Sequence, residues 1–220
     1  MTERREFLRQ ASLLAAGSVA ASSLAAQGAP ATSVQGTWDM AWLERVNGQF
    51  KMAFDAPEIS DGVCLHQARS FLAGYDTVHG LKDNDLTAVL VIRHKAIPMV
   101  LGDELWSDGY WGDQEKLKDP ATGETTKRNP FIKVPAGAQH SLTWPDGALD
   151  TLMSRGVIVL ACDLALRNAA GQIASRRKIP RQDALQLVSQ HLIRGVYRMP
   201  SGIFATCRAQ AAGCGVLHSV

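Results

Sequence analysis

A short apolar run that ends at a cysteine and turns at once into a helical pattern constrains the fold of this chain more than any other stretch. The run, GVIVLAC, covers 156–162, and the helical pattern begins directly at Asp163. An apolar run bounded in this way is typical of a strand that is buried on both faces of a parallel sheet. Because open α/β sheets keep their sites at the carboxyl ends of such strands, the pattern predicts a thiol at that edge.

Helical and strand-like periodicities alternate along the rest of the chain. Strands are predicted over four further segments: 49–56, 86–94, 195–200 and 215–220. Helices are predicted over 60–80, 146–155, 163–174, 181–193 and 201–210, with short ones over 37–43 and 101–106. This alternation predicts an α/β fold, a flavodoxin-like three-layer α/β/α sandwich with a mainly parallel five-stranded sheet. Ser60 or Asp61 is expected to cap the first long helix, and Ser201 the last.

The composition fits one globular domain with no strong net charge to attract nucleic acid or an anionic membrane. The chain has 220 residues, of which 46% are hydrophobic and 20% charged, and this length supplies a single core. Its 23 basic and 21 acidic residues nearly cancel, which gives a formal net charge of +2. Since no basic block occurs beyond the N-terminus, neither nucleic acid nor an anionic membrane is an expected partner. No segment of the mature chain is long and apolar enough to span a bilayer.

The first thirty or so residues have the composition of a targeting segment. The sequence RREFLR begins at Arg4, and a mildly apolar run rich in alanine, serine and leucine covers 11–26. These features resemble a twin-arginine (Tat) signal more than a general secretory one, the alternative being an amphipathic N-terminal helix. We therefore expect residues 1–31 to be a Tat signal peptide and 32–220 to be a single periplasmic domain.

Residues 108–145 differ in character from the segments around them. They contain four prolines, several glycines and many charges, but little periodicity. A loop of that length is uncommon inside a compact domain, so the segment is interpreted as a lid, an interface arm or a mobile insertion. Trp106, Trp111 and Trp144 flank it, which indicates that part of it packs onto the rest of the protein.

Cys162 is the strongest candidate for a reactive group. Backbone N–H groups and the helix dipole at a strand-to-helix junction favour the thiolate, whereas the carboxylate of Asp163 acts in the opposite sense. His94 ends the other strongly apolar strand and is predicted to reach the same sheet edge, where a Cys–His pair would activate the thiol. The alternatives are a cysteine that only fills the core, and a histidine bonded to loop carbonyls.

The other cysteines and the histidines show no ligand spacing. The mature cysteines, Cys64, Cys162, Cys207 and Cys214, allow three complete disulfide pairings, which the sequence does not distinguish. On one continuous helix Cys207 and Cys214 would be about 10.5 Å apart, too far to bridge unless the helix ends at Gly213. No metal motif and no nucleotide-binding glycine loop is present, so neither a metal nor a cofactor is expected. A further hypothesis, that the chain is a redox protein loaded with a cofactor, rests on the Tat signal alone.

Three segments in order resemble the DsrE/DsrF-like family. They are the strand–cysteine–helix unit 159–166, the strand that ends at His94, and the tail. The tail reads GVYRMPSG at 195–202 and RAQAAG at 208–213, similar to the family's G-V-x-x-x-P-x-G turn and x-x-Q-x-x-G helix end. The likeness covers most of 48–220. The insertion at 108–145 and the leading tryptophan segment depart from the short family core.

This resemblance implies a flavodoxin-like fold, small oligomers and, at the position of Cys162, a cysteine that holds persulfide sulfur in sulfur relays. Arg93 and Arg167 then become candidates for supplying positive charge to an anionic sulfur species, or are solvated surface arginines.

Two hypotheses follow, and they leave open whether the chain is an enzyme. In the first, Cys162 accepts and passes sulfane sulfur to a partner protein, with His94 as helper. In the second, the chain is a non-catalytic oligomeric binding or accessory module, Cys162 is structural, and the insertion contacts a partner. An exposed Cys162 favours the first, a buried one the second.

Overall fold

The computed structural model describes residues 38–220, and Thr37–Val220 forms one compact unit. The predicted signal peptide, 1–31, therefore lies outside the described residues. In the part of the chain that is described, no helix has both the length and the apolar character needed to cross a membrane.

A five-stranded sheet, parallel throughout, forms the middle of the protein, and the predicted α/β/α sandwich with its flavodoxin-like layering is confirmed. The strands are β1 (Phe50–Ala56), β2 (Leu86–Ile92), β3 (Ile158–Cys162), β4 (Tyr197–Met199) and β5 (Gly215–His218). The helices are α1 (Val63–His79), α2 (Tyr110–Gln114), α3 (Leu149–Ser154), α4 (Asp163–Arg177), α5 (Arg181–Gln190) and α6 (Gly202–Ala211). The order across the sheet is β4-β3-β2-β1-β5.

Burial along the strands follows their place in the sheet. Every residue of β2 and β3 is buried, as expected for apolar strands with neighbours on both sides and helices on both faces. β5 lies at one edge, and all four of its residues are exposed. The register pairs Ile92 of β2 with Ala161 of β3, so Arg93 and Cys162 come level with each other one step further along.

The path of the chain decides which face each helix covers. From β1 to β4 the chain advances in one direction, and α1, α3, α4 and α5 all pack on one face, in the larger hydrophobic cluster. α6 then returns the chain to the far side of β1, and right-handed crossover places it on the opposite face, where Ala205 and Ala209 meet the buried Trp42. Consequently α4 and α6 leave the neighbouring strands β3 and β4 on opposite faces, and a crevice opens at the carboxyl ends of these strands.

The predicted insertion, 108–145, is mostly without regular structure but is not a free arm. It holds only α2 and an isolated bridge between Lys118 and Thr125. Asn129 is fully buried and anchors it: its Nδ2 donates to the carbonyl oxygens of Met99 (2.8 Å) and Leu101 (2.9 Å). Phe131 beside it is fully buried too, so this part of the segment belongs to the core. The expectation that the insertion packs onto the protein is met here.

Three local predictions are wrong in detail. The first long helix is not capped by Ser60 or Asp61, because the chain makes a 3-10 turn through Gly62 with positive φ angles, and α1 begins at Val63. The short helix predicted over 101–106 is present only as a 3-10 turn, Asp103–Leu105, and a second 3-10 turn, His94–Val100, comes before it.

Near the start of the described chain, a 3-10 turn covers Ala41–Arg45. Trp42 is fully buried there, whereas Trp38 is partly exposed, so the two tryptophans do not share one environment. The cap predicted at Ser201 is confirmed, since its Oγ accepts a hydrogen bond from the Phe204 N–H at 3.1 Å.

Candidate functional site

Cys162 lies where the sequence places it, at the end of β3 and at the N-cap of α4. The helix that follows is 15 residues long, and the Cys162 side chain makes no capping hydrogen bond to its first N–H groups. The residue is 7% exposed. Cys162 is therefore buried, which is the outcome that favours the second of the two hypotheses.

Asp163, the next residue, is 3% exposed and is held between two arginines. Arg167 donates from Nε to Oδ2 at 2.6 Å, and Arg198 donates from Nε to Oδ1 at 2.5 Å. The hydrogen bond to Asp163 raises the pKa of Arg167. Two guanidinium groups therefore lie against the one carboxylate next to Cys162.

A second charged group lies on the other side of Cys162, around Asp55 at the end of β1. Arg93 binds the carboxylate with two hydrogen bonds, Nε to Oδ1 at 2.6 Å and Nη2 to Oδ2 at 2.8 Å. Nδ1 of His218, on the edge strand β5, lies 3.0 Å from Oδ2. Burial alone would raise the pKa of Asp55, but Arg93 and His218 outweigh it and hold the pKa below its ordinary value.

Arg93 links this group to Cys162. The pKa of Arg93 is raised, chiefly by its hydrogen bond with Asp55, and the strand register places Arg93 level with Cys162 on the neighbouring strand. Arg93 also lies against the N-terminus of α6: a Cβ on Gly202 would come 2.7 Å from Cβ of Arg93 and would meet its Cδ. Glycine is therefore required at 202 for Arg93 to reach Asp55.

A cleft beside Asp163 gives solutes access to its arginines. Trp38, Asp39, Arg167 and Arg198 line it, and its volume is about 280 Å³. Both arginine side chains are partly exposed, at 52% for Arg167 and 37% for Arg198. This cleft lies near the crevice between β3 and β4, the place where open α/β sheets accommodate ligands.

His94 does not join this arrangement. Its ring is exposed, and within residues 38–220 no hydrogen bond connects it to Cys162. The backbone of His94 has a φ of 53°, a left-handed conformation that costs a residue other than glycine about 1 kcal/mol. It lines a different cleft, next to Tyr110 and Trp111. The predicted activation of Cys162 by His94 therefore has no hydrogen bond to support it.

The other three cysteines differ sharply in accessibility. Cys64 is 1% exposed, and burial raises its pKa to about 12. Burial also raises the pKa of Cys214, with Lys51 acting in the opposite direction. Cys207 is exposed on α6, and all four cysteines are free thiols. In the described part of the chain, no cluster of three or more His, Cys, Asp or Glu residues has the arrangement of a metal site.

Sequence reasoning missed Asp55, Arg198 and His218 as parts of this edge. A signal for them was present, because each stands at or near the carboxyl end of a strand, and parallel strands bring all of these ends to one edge. Arg93 and Arg167 were candidates for binding an anion, and the structure instead pairs each with an aspartate.

The fold and this edge together define a class: an open, all-parallel α/β sandwich with a thiol and a set of paired charges at the carboxyl ends of its strands. The sequence matches no protein-family model and no curated protein.

Proposed function

We propose that this chain is a DsrE/DsrF-like protein that carries sulfane sulfur on Cys162. The observation that supports the proposal best is the position of Cys162 at the N-terminus of α4, level with Arg93 on the neighbouring strand. Positive charge and helix N–H groups stabilise a thiolate, and they stabilise the more acidic persulfide that replaces it in the same way.

The step is a transfer of sulfur without net oxidation. The Cys162 thiolate attacks the outer sulfur of a small persulfide donor, R–S–SH; a new S–S bond forms at Cys162 while the donor's S–S bond breaks. The donor leaves as the thiolate R–S⁻, and the proton stays on the transferred sulfur or is lost to solvent. A protein acceptor then removes the sulfur by the same reaction in reverse.

The exposed Cys207 complicates any test, so the experiment starts from Cys207→Ser. The intact mass of this variant is measured after incubation with a polysulfide, and the double variant Cys207→Ser/Cys162→Ser serves as the matched control. We expect the single variant to gain sulfur that a reductant removes, and the double variant to gain none. If the single variant gains no sulfur while folded, and Cys162 reacts with iodoacetamide only in urea, sulfur carriage is refuted.

The second candidate function is a non-catalytic binding or accessory module with a structural Cys162. Two observations favour it: Cys162 is 7% exposed, and Arg93 is already bound on two of its nitrogens by Asp55. Both proposed functions are compatible with an export signal and with an oligomeric state. N-terminal sequencing of the protein from the periplasm of an expressing cell tests the export signal, and sedimentation equilibrium of the mature chain tests the oligomeric state.

A further inference from the structure

A separate cleft lies on the α4 side of the sheet, between the 3-10 turn His94–Val100, α2 and α4. Its volume is about 280 Å³, close to the lower end of the roughly 300–1,000 Å³ typical of ligand sites. Cys162 is not among the residues that line this cleft, so the cleft is distinct from the proposed sulfur site. Of the lining residues, His94 follows β2 and Ala165 follows β3, so the cleft lies on the carboxyl side of these two strands.

The cleft combines an apolar floor with a polar rim. Ile97, Pro98, Ala165 and Ala169 form the floor. The polar lining residues are His94, Lys95, Gln114, Glu115, Asn168 and Gln172. Within the described chain, the side chains of His94, Gln114, Asn168 and Gln172 make no hydrogen bond, so their donors and acceptors are available to a ligand.

Aromatic packing fixes one wall of this cleft before any ligand arrives. The guanidinium carbon of Arg176 lies 3.8 Å from the ring centre of Tyr110 and 5.3 Å from that of Trp111. On another side Trp111 meets the fully buried Trp106 edge to face, with 5.5 Å between ring centres. A Cβ on Gly112 would collide with the carbonyl oxygen of Thr126, so α2 packs directly against a later part of the same insertion. A wall held on several sides loses little conformational freedom when a ligand binds.

The charges around the cleft indicate the kind of ligand. Lys95 and Glu115 are the formal charges of its lining, one of each sign, and Lys95 lies 3.6 Å from Glu58 outside the cleft. The formal charges of the lining residues therefore sum to zero. Side-chain amides, an imidazole and aromatic rings instead match an uncharged planar molecule with its own amide-type hydrogen-bonding edge.

We propose that this cleft binds a small, uncharged, planar molecule through the amides of Asn168 and Gln172 and the aromatic wall of Tyr110 and Trp111. His94, whose backbone is left-handed, is one of the residues that line the same cleft. Binding here is independent of sulfur transfer, and the substitution Cys162→Ser leaves it unchanged.

Saturation-transfer NMR on the mature chain tests this with three probes of one shape: benzamide, benzoate and benzylammonium. We expect benzamide to bind in preference to both charged analogues. Its affinity falls about tenfold in Asn168→Ala/Gln172→Ala, in which two hydrogen bonds are lost. Gln186→Ala, at an exposed glutamine of α5, is the matched control and keeps full affinity.

Three results overturn the proposal. The first is the absence of saturation transfer to benzamide with the folded wild type. The second is equal binding of all three probes, and the third is equal binding of benzamide by the wild type and the double variant. Gln172→Trp, which fills the mouth of the cleft from an exposed position, gives a second variant whose folding does not depend on the floor, and it too is expected to abolish binding.

Discussion

Around Cys162, three arginines meet two aspartates: Asp163 binds two of the arginines, and Asp55 binds Arg93. The aspartates are almost completely buried, whereas the arginines reach the surface. The carboxylates therefore fix where the guanidinium groups stand, and one positive charge remains in excess near the thiol. At this scale the fixed charges, more than the nearest histidine, set the chemistry open to Cys162.

Replacing Asp163 by asparagine should show how strongly this pairing stabilises the fold. The substitution Asp163→Asn keeps the volume of the side chain but leaves Arg167 and Arg198 without their carboxylate, so the free energy of unfolding in urea should fall by about 2 kcal/mol. The exposed ends of both arginines limit the loss. Asp146→Asn is the control, because Asp146 is 56% exposed in its ion pair with Arg69 and should cost less than about 1 kcal/mol. Equal losses in the two variants would contradict the prediction.

Asp55 should make the protein sensitive to acid. Its pKa in the folded state is lower than the ordinary value of 3.8, so below that value the unfolded chain binds more protons than the folded one. The stability that Asp55 contributes is present above pH 4 and is lost as the pH falls through the lower, folded pKa. Urea unfolding measured from about pH 5 to pH 2 should show a shallower decline for Asp55→Asn than for the wild type. Parallel curves for the two proteins would refute this role.

At the level of helices and strands, the close approach of α6 to Arg93 predicts that an alanine at 202 destabilises the protein, whereas an alanine at an open glycine stabilises it. Gly202→Ala places a methyl group 2.7 Å from Cβ of Arg93, so either α6 or Arg93 must shift, and unfolding should become easier by about 1–3 kcal/mol. Gly74→Ala, inside α1, meets no atom within 4 Å and should stabilise the protein by about 0.5–1 kcal/mol through helix propensity. Thermal or urea unfolding of both variants measures whether each is less or more stable than the wild type. A neutral Gly202→Ala would mean that Arg93 is not confined.

The elements that the sequence predicts well are those with one dominant signal. The apolar runs of β2 and β3 fix the fold class, and Ser201 caps α6 as expected, because each depends on local residues alone. Ser60 fails as a cap, because the residues from Ser60 to Gly62 all have positive φ angles. The Asp-Gly pair at 61–62 is a local turn signal that competes with the capping signal of Ser60.

A different limit applies to the candidate site. That Cys162 ends a strand beside a helix can be predicted from a few residues. The partners of that edge cannot, because Asp55 and His218 are 163 positions apart and meet only through the sheet order β2-β1-β5. The left-handed backbone conformation at His94 is likewise not revealed by the residue pattern near 94.

For the whole molecule, cysteine labelling reports on global opening. Cys64 is 1% exposed and its pKa is raised to about 12, so a thiol reagent at neutral pH should reach it only when the protein unfolds. We expect iodoacetamide to label Cys207 within minutes, and Cys64 only across the urea transition that circular dichroism detects. Mass mapping of the labelled peptides distinguishes the sites. Rapid labelling of Cys64 in the native protein would mean that the α1 side of the core opens locally.

The place of β5 in the sheet has a consequence for the order in which the protein is made. β1 leaves the ribosome first of the five strands, yet one of its two neighbours, β5, is synthesised after all the others. Until then one flank of β1 offers unpaired N–H and C=O groups to any passing strand. A nascent chain that has completed β4 thus has four strands in register and its earliest strand still open. The contact between His218 and Asp55 then closes this flank, and with it the route by which an unfinished chain would aggregate.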